Sequence, residues 1–249
     1  MSHTYLLKRD AHHTLKKSLR EIRSEINLKS FKRIEKLRPW YEQNKLILMR
    51  GPKYIAVKRV MDIILSAFLI LLVLPVLILC AIIIRLDSKG PILYVQERTG
   101  YAGRRFKMFK LRTMHRNAEE LKQKYMHLNT LSYPDFKIPD DPRITRIGKF
   151  LRKTSLDELP QIFNVLKGDM SLIGPRPTSF HPSSYDLWQT VRLEIKPGVT
   201  GLWQVSGRSD IEFDERIRLD YAYMKNVSLG LDLKILLRTF SSVINREGA

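Results

Sequence analysis

The hydrophobic pattern of this 249-residue chain is dominated by one block, residues 63–84, which holds 22 uncharged and mostly apolar residues with Pro75 near its middle. At 1.5 Å per residue an unbroken helix of that length reaches about 33 Å, enough for a bilayer core of roughly 30 Å, so the block predicts a membrane segment. Two arrangements are open. One is a kinked helix that spans the bilayer, because freed carbonyls can find other partners in a membrane protein. The other is a re-entrant hairpin broken at Pro75, which lacks a backbone donor and clashes with the carbonyl four residues back. Charge favours the hairpin. Residues 1–62 carry 16 Lys/Arg against 6 Asp/Glu, and residues 63–249 carry 28 against 19. Basic residues crowd both ends of the block, with Lys53, Lys58 and Arg59 before it and Arg85, Lys89, Arg98, Arg104 and Arg105 after it. Such flanks resist translocation, and a hairpin leaves both on one side with Asp62 and Arg85 at one interface.

Elsewhere the pattern is finer. Between residues 15 and 40, Leu15, Leu19, Ile22, Ile26, Phe31, Ile34, Leu37 and Trp40 recur at mostly three- and four-residue steps among many Lys and Arg. That spacing predicts a basic amphipathic helix, suited either to an anionic leaflet or to another helix. After the apolar block, residues 92–96 and 106–111 read as short strands around a turn at 100–103, a small β-hairpin. Asn117 followed by Glu120 predicts a helix to about Leu128, and the proline-rich stretch 133–142 predicts a surface loop. Further helices are expected at 145–152, 157–167, 179–195, 212–224 and 230–244. The last is apolar enough for either membrane contact or core packing. The class is therefore α+β and mainly helical. The division expected is a basic N-terminal extension at 1–52, a membrane helix at 53–86 and one catalytic-size domain at 87–249.

A formal charge of +19 implies an anionic partner, and the apolar block makes lipid headgroups the first choice, ahead of nucleic acid. The single cysteine, Cys80, lies inside the apolar block, so there is no disulfide framework and no thiolate metal site; a reducing cytoplasmic setting fits. Residues 1–17 are polar and lack the apolar core of a signal peptide.

Candidate chemistry centres on Arg152-Lys153-Thr154-Ser155-Leu156-Asp157-Glu158-Leu159-Pro160-Gln161. Pro160 is tolerated only in a first helical turn, which puts a helix start between Ser155 and Asp157. Ser155 and Glu158 then have capping-box spacing, the structural explanation for these acids. The same helix start attracts phosphate, and Arg152 and Lys153 stand beside it. Phosphate and carboxylate meeting there would require a cation between them, most simply Mg2+ held in part by Asp157. Adjacent helical residues point about 100° apart, so Asp157 and Glu158 are expected to act differently. Downstream, Gly174-Pro175-Arg176-Pro177 holds an arginine in rigid extended backbone suited to phosphate, or forms a plain rigid loop. The run 196–208 combines glycine turns with Trp203, Gln204 and Arg208, suitable parts for a nucleotide base and its phosphates, although a buried tryptophan is more often core.

These segments resemble the bacterial sugar transferases of the monotopic phosphoglycosyl transferase superfamily. The likeness runs from about Lys58 to Arg246. It includes the proline-bearing membrane segment, Phe109-Lys110-Leu111-Arg112-Thr113-Met114, Asp141-Pro142-Arg143-Ile144-Thr145, Leu156-Asp157-Glu158-Leu159-Pro160-Gln161, Gly174-Pro175-Arg176-Pro177, the glycine-rich run to Arg208 and Leu231-Asp232-Leu233-Lys234-Ile235. The resemblance implies transfer of a sugar 1-phosphate from a UDP-sugar to a polyprenyl phosphate such as undecaprenyl phosphate, giving a polyprenyl-diphosphate sugar and UMP. It implies a re-entrant helix at a bacterial inner membrane and a domain facing the cytoplasm. Asp157 matches the nucleophile, Glu158 its partner in the catalytic dyad, and Arg152 the basic residue just before it. Lys110, Arg112, Arg176, Gln204 and Arg208 match positions expected near the phosphates and the nucleotide.

Family members often carry serine before the helix-breaking proline, where this chain has Leu74, so the kink would be held differently. Larger members carry additional membrane helices and a further domain, for which this sequence shows no counterpart. The glycine-rich run is most similar to that of members using UDP-glucose or UDP-galactose. The expected function is the initiating step of exopolysaccharide, capsule or O-antigen synthesis, with Mg2+ as cofactor, anionic lipid as surroundings, no nucleic acid, and a homo-oligomer left open. The alternative is a membrane-anchored basic protein that binds anionic lipid or nucleic acid without catalysis.

Overall fold

In the computed structural model, which describes residues 52–130, 138–206 and 213–244, helix α1 (Pro52–Asp87) runs for 36 residues with Pro75 inside it. The expected interruption at Pro75 is not seen. Proline costs the ladder one hydrogen bond, and the Leu, Val and Ile residues around it offer no polar group that would compete for the backbone. One face of α1 is covered by the rest of the protein: Asp62, Ser66, Cys80 and Ile84 are buried, and Leu65, Leu69 and Leu77 pack beside them. Steps of one, three and four residues, and of eight from Leu69 to Leu77, keep these positions on one side of the helix as a single stripe. Phe68, Leu71, Leu79 and Ile82, on the other faces, are all more than half exposed. The helix is long and apolar enough to cross a membrane, and this bare apolar surface fits membrane association.

Both ends of α1 are tied to the same domain. Near its start, Arg59 donates to the Val165 and Leu166 carbonyls at 2.6 and 2.8 Å, and Asp62 accepts from Ser171 Oγ and the Leu172 amide at 3.1 and 3.0 Å. Near its end, Arg112 donates to the carbonyls of Lys89 and Ser88 at 2.5 and 2.7 Å and to that of Ile84 at 3.4 Å.

Strands β1 (Leu93–Thr99) and β2 (Arg105–Leu111) form the expected antiparallel hairpin, with Leu93 opposite Leu111 and Thr99 opposite Arg105. A second, parallel pair joins β3 (Ser171–Ile173) to β4 (Gly198–Thr200). Gly198 is required there, because a Cβ would stand 2.1 Å from the Gly174 amide. Helices α2 (Arg146–Lys153), α3 (Gln161–Lys167), α4 (Phe213–Asn226) and α5 (Leu229–Ile244) lie close to expected positions, although α3 covers only the second half of 157–167. The main core gathers Met108, Val165, Met170, Leu172, Val191, Tyr223, Met224 and Ile235. A smaller cluster of Cys80, Ile84, Leu111 and Leu151 sits under the end of α1.

Two expected helices are corrected. The segment from Asn117 to Leu128 forms turns with short 3-10 pieces at Glu120–Lys122 and Met126–Leu128. Of that segment only Ala118 is buried, so it lacks the apolar face that stabilises a helix of this length. Residues 179–195 form two 3-10 pieces, Pro182–Ser184 and Leu187–Glu194. Four consecutive residues in the second, Thr190, Val191, Arg192 and Leu193, are buried, which one face of an α-helix does not allow. The amphipathic segment 15–40 and most of the predicted loop at 133–142 lie outside the described residues.

Candidate active site

The site is assembled from three places in the chain, and the segment 141–145 aligns them. Asp141 and Arg143 form a buried ion pair at 2.6 Å, and the Arg143 amide donates to the same carboxylate at 3.0 Å. Next to this clasp, the Thr145 amide donates to the Thr113 carbonyl at 3.0 Å, and Thr145 Oγ1 caps α2 by accepting from the Gly148 amide at 2.9 Å. A Cβ on Gly148 would lie 2.0 Å from the Thr113 carbonyl oxygen, so only glycine lets α2 pack this closely on the end of β2. One turn further on, Arg152 Nε donates to Thr113 Oγ1 at 2.9 Å.

Helix α2 ends at Lys153, and Ser155 reverses the chain in a left-handed conformation at φ 57°. The 3-10 turn Leu156–Glu158 follows, and Pro160 precedes α3. The capping box expected between Ser155 and Glu158 does not form. A capping residue needs extended backbone, which Ser155 lacks, its side chain makes no cap bond, and Glu158 is engaged elsewhere. Glu158 accepts from Lys110 Nζ at 2.7 Å and is gripped by both guanidinium nitrogens of Arg176, with Nη1 at 2.9 Å from Oε2. Asp157 is buried too, yet among the described residues its one ion-pair contact is Lys110 Nζ at 4.0 Å. Two adjacent carboxylates thus have unlike surroundings, since neighbours in a 3-10 turn point about 120° apart.

Electrostatics widens the difference. Burial opposes ionisation of Glu158, but Arg176 and Lys110 override it and hold the carboxyl well below the usual range. Burial, helped by the negative charge of Glu158, pushes the Asp157 carboxyl up against the pull of Lys110, Arg152 and Arg176. The Gly174–Pro177 loop that presents Arg176 is braced from behind. Arg192 donates to the Arg176 carbonyl at 2.6 Å and pairs with buried Asp220 of α4 at 2.8 Å.

Of the residues singled out in the sequence, Asp157, Glu158, Lys110, Arg152 and Arg176 come together. Arg112 does not: its guanidinium faces the carbonyls that end α1. Gln204 sits in the 3-10 turn Trp203–Val205, where its amide donates to the Val199 carbonyl at 3.3 Å. Arg208 lies outside the described residues. Sequence reasoning missed Arg98, Gln96 and the Arg192–Asp220 brace. The alternation of β1 was the available signal for the first two, since residues 94, 96 and 98 share a face with Lys110; nothing local marks the brace.

Fold and site together define a membrane-associated protein whose acid pair is surrounded by cations, a setting for phosphorylated ligands. The chain belongs to the bacterial sugar transferase family, whose model matches residues 53–246. It is 47% identical over 182 residues to the galactosyl transferase CpsE of Streptococcus agalactiae serotype III, a match covering 70% of this chain and 40% of that protein. It is 43% identical over 197 residues to the undecaprenyl-phosphate galactose phosphotransferase of Salmonella typhimurium, covering 77% of this chain and 41% of the relative. A third relative, the UDP-glucose:undecaprenyl-phosphate glucose-1-phosphate transferase of Caulobacter vibrioides, is 41% identical over 206 residues, 77% of this chain and 71% of its own. The first two matches thus span about two fifths of the relatives' length.

Proposed function

We propose that this protein is a polyprenyl-phosphate sugar-1-phosphate transferase. It takes a hexose 1-phosphate from a UDP-sugar, with UDP-galactose and UDP-glucose as favoured donors, and gives undecaprenyl-diphosphate sugar and UMP in an early step of polysaccharide synthesis. The observation that carries this reading is the unequal pair: a buried Asp157 outside hydrogen-bond reach of Lys110, next to a Glu158 fully committed to Lys110 and Arg176.

In this mechanism an Asp157 oxygen attacks the sugar-bearing phosphorus, a P–O bond to UMP breaks, and an aspartyl phosphosugar forms. An oxygen of the polyprenyl phosphate then attacks the same phosphorus, and the bond to Asp157 breaks. A carboxylate whose proton affinity burial has raised is a better nucleophile than an exposed one, provided it is ionised at working pH. Glu158, held ionised by two cations, is a poor base. Its contribution is to orient Lys110 and Arg176 toward the phosphates. The acceptor needs little deprotonation, since a phosphate monoester has a second pKa of about 6.

Among the described residues no cluster of three or more His, Cys, Asp or Glu could hold a metal by itself. One carboxylate, completed by substrate phosphates and water, fits magnesium, and Asp157 would hold it. When bound, Mg2+ would neutralise diphosphate charge as UMP leaves.

The membrane reading is that the domain sits on the cytoplasmic face of the inner membrane while the continuous helix α1 lies along that surface, its bare apolar side embedded in the leaflet and both ends at one interface. Its support is that Arg59 and Asp62 at one end, and Cys80 and Ile84 at the other, pack on one domain. A helix crossing the whole bilayer in that contact would drag charged groups such as Arg112 and Asp157 into the lipid core, at high cost. Anionic lipid fits the basic surroundings of α1.

The test is UMP release from a panel of UDP-sugars with undecaprenyl phosphate and magnesium, using the full chain in lipid. Release with one hexose donor, absent in Asp157→Ala, is expected. Silence with all donors from folded protein would contradict the reading.

A further inference from the structure

The hairpin carries a cation toward the acid pair that the proposed reaction has not used. In β1, Tyr94 lies opposite Lys110, Gln96 opposite Met108 and Arg98 opposite Phe106, so Tyr94, Gln96 and Arg98 share the face from which Lys110 reaches Glu158 and Asp157. Arg98 leans to the rim of the site. Its Nη1 donates to the Pro177 carbonyl at 3.3 Å, just past Arg176, and its Nη2 to Gln96 Oε1 at 2.5 Å. Its Nε is buried and, among the described residues, has no hydrogen-bond partner. Nor does any described carboxylate lie within ion-pair distance of it.

A half-buried guanidinium with only neutral acceptors is unfavourable on its own. Here it also faces the like charge of Arg176, and burial together with that neighbour pulls its pKa down to about 10. Among the described residues, Lys110, Arg98, Arg152 and Arg176 surround Asp157 and Glu158, and a further carboxylate near Arg152, Asp141, is already paired with Arg143. The site is built with more positive charge than its own carboxylates balance. A phosphoryl group supplies what is missing, with negative charge and several acceptor oxygens for a guanidinium that has only neutral partners.

We propose that Arg98 is a further phosphate-binding residue of this site, oriented by Gln96. The assignment deepens the transferase reading and rests on it for the identity of the phosphate, which is either the diphosphate of the nucleotide sugar or the phosphate of the polyprenyl acceptor.

The experiment uses the full chain in lipid. UMP release is followed against UDP-sugar and against undecaprenyl phosphate for wild type, Arg98→Gln, Arg98→Lys and Gln96→Leu. Arg98→Gln should raise one KM about tenfold while kcat changes much less, and Arg98→Lys should recover most of the loss. A rise in the donor KM, with weaker inhibition by UDP, identifies the diphosphate; a rise in the acceptor KM with UDP inhibition unchanged identifies the lipid phosphate. Both KM values of Arg98→Gln staying within about twofold of wild type would overturn the proposal. Should Arg98→Gln fail to fold, Gln96→Leu must shift the same KM in the same direction, and no shift there is equally fatal. Calorimetry with inorganic pyrophosphate separates this idea from the reaction. If wild type turns over no UDP-sugar, the transferase reading has failed, and Arg98 still stands or falls by whether pyrophosphate binds wild type more tightly than Arg98→Gln.

Discussion

Arg112 and Arg176 looked alike in the sequence, two arginines in short distinctive segments near expected phosphate contacts, and the fold uses them for different tasks. Arg176, held between two prolines, grips the carboxylate of Glu158 with both guanidinium nitrogens. Arg112, one residue past the end of β2, turns its fork on the carbonyls of Ile84, Ser88 and Lys89 where α1 ends. Ser88 and Lys89 lie just past the helix, Ile84 already accepts from the Ser88 amide at 3.2 Å, and arginine is the side chain with enough donors to reach several carbonyls at once. Both make charge-assisted bonds to oxygen, so residue type and neighbours say little about whether the oxygen belongs to a ligand or to the backbone.

The widest gap between the two should appear in turnover. Arg176→Gln is expected to cut UMP release by about 10²–10³-fold through loss of preorganised charge, with a melting temperature close to wild type. Arg112→Gln should do the reverse: denaturant unfolding in detergent should show a loss of about 2–3 kcal/mol, while the folded fraction turns over normally. Equal catalytic losses in the two variants would erase the distinction.

A smaller effect sharpens the unlike acids. Because the Asp157 carboxyl is raised by burial and by Glu158, its nucleophilic form is lost as pH falls through a value above the ordinary aspartate range near 3.9. Glu158→Gln removes that negative neighbour and leaves Lys110 and Arg176 to act on Asp157 alone. The acid limb of its residual turnover should therefore move to lower pH, and an unmoved limb would mean the two carboxyls do not communicate.

The smallest effect concerns the brace behind Arg176. Burial pushes the Asp220 carboxyl from 3.8 to about 6, against the pull of Arg192 and Arg216. The folded state then binds more protons than the unfolded state between about pH 4 and 6, so stability falls as pH rises through that window. Relative to Asp220→Asn, which has no such titration, wild type should lose about 2–3 kcal/mol across it. Melting curves at several pH values check this, and parallel profiles would contradict it.

What was legible in the sequence was local. The β1–β2 hairpin follows from alternation around a glycine turn, and Pro160 marks a helix start, although that helix begins at Gln161 and leaves Asp157 and Glu158 in the 3-10 turn before it. Less legible was whatever depends on distant partners. Ser155 and Glu158 have capping-box spacing, and only the arrival of Lys110 and Arg176 shows that Glu158 is bound to cations instead. Residues 179–195 have helical composition, yet burial on all sides favours tight 3-10 turns. Pro75 has the chemistry to break a helix, and its apolar neighbours keep α1 continuous.

The central claim is that Asp157, and not Glu158, carries the sugar phosphate. The direct measurement is intact-protein and peptide mass spectrometry after incubation with a reactive UDP-hexose in the absence of lipid acceptor. The account predicts a hexose-phosphate adduct on the peptide containing Asp157, kept in Glu158→Gln, absent in Asp157→Asn and discharged by undecaprenyl phosphate. An adduct that survives Asp157→Asn, or full turnover by that variant, would contradict it.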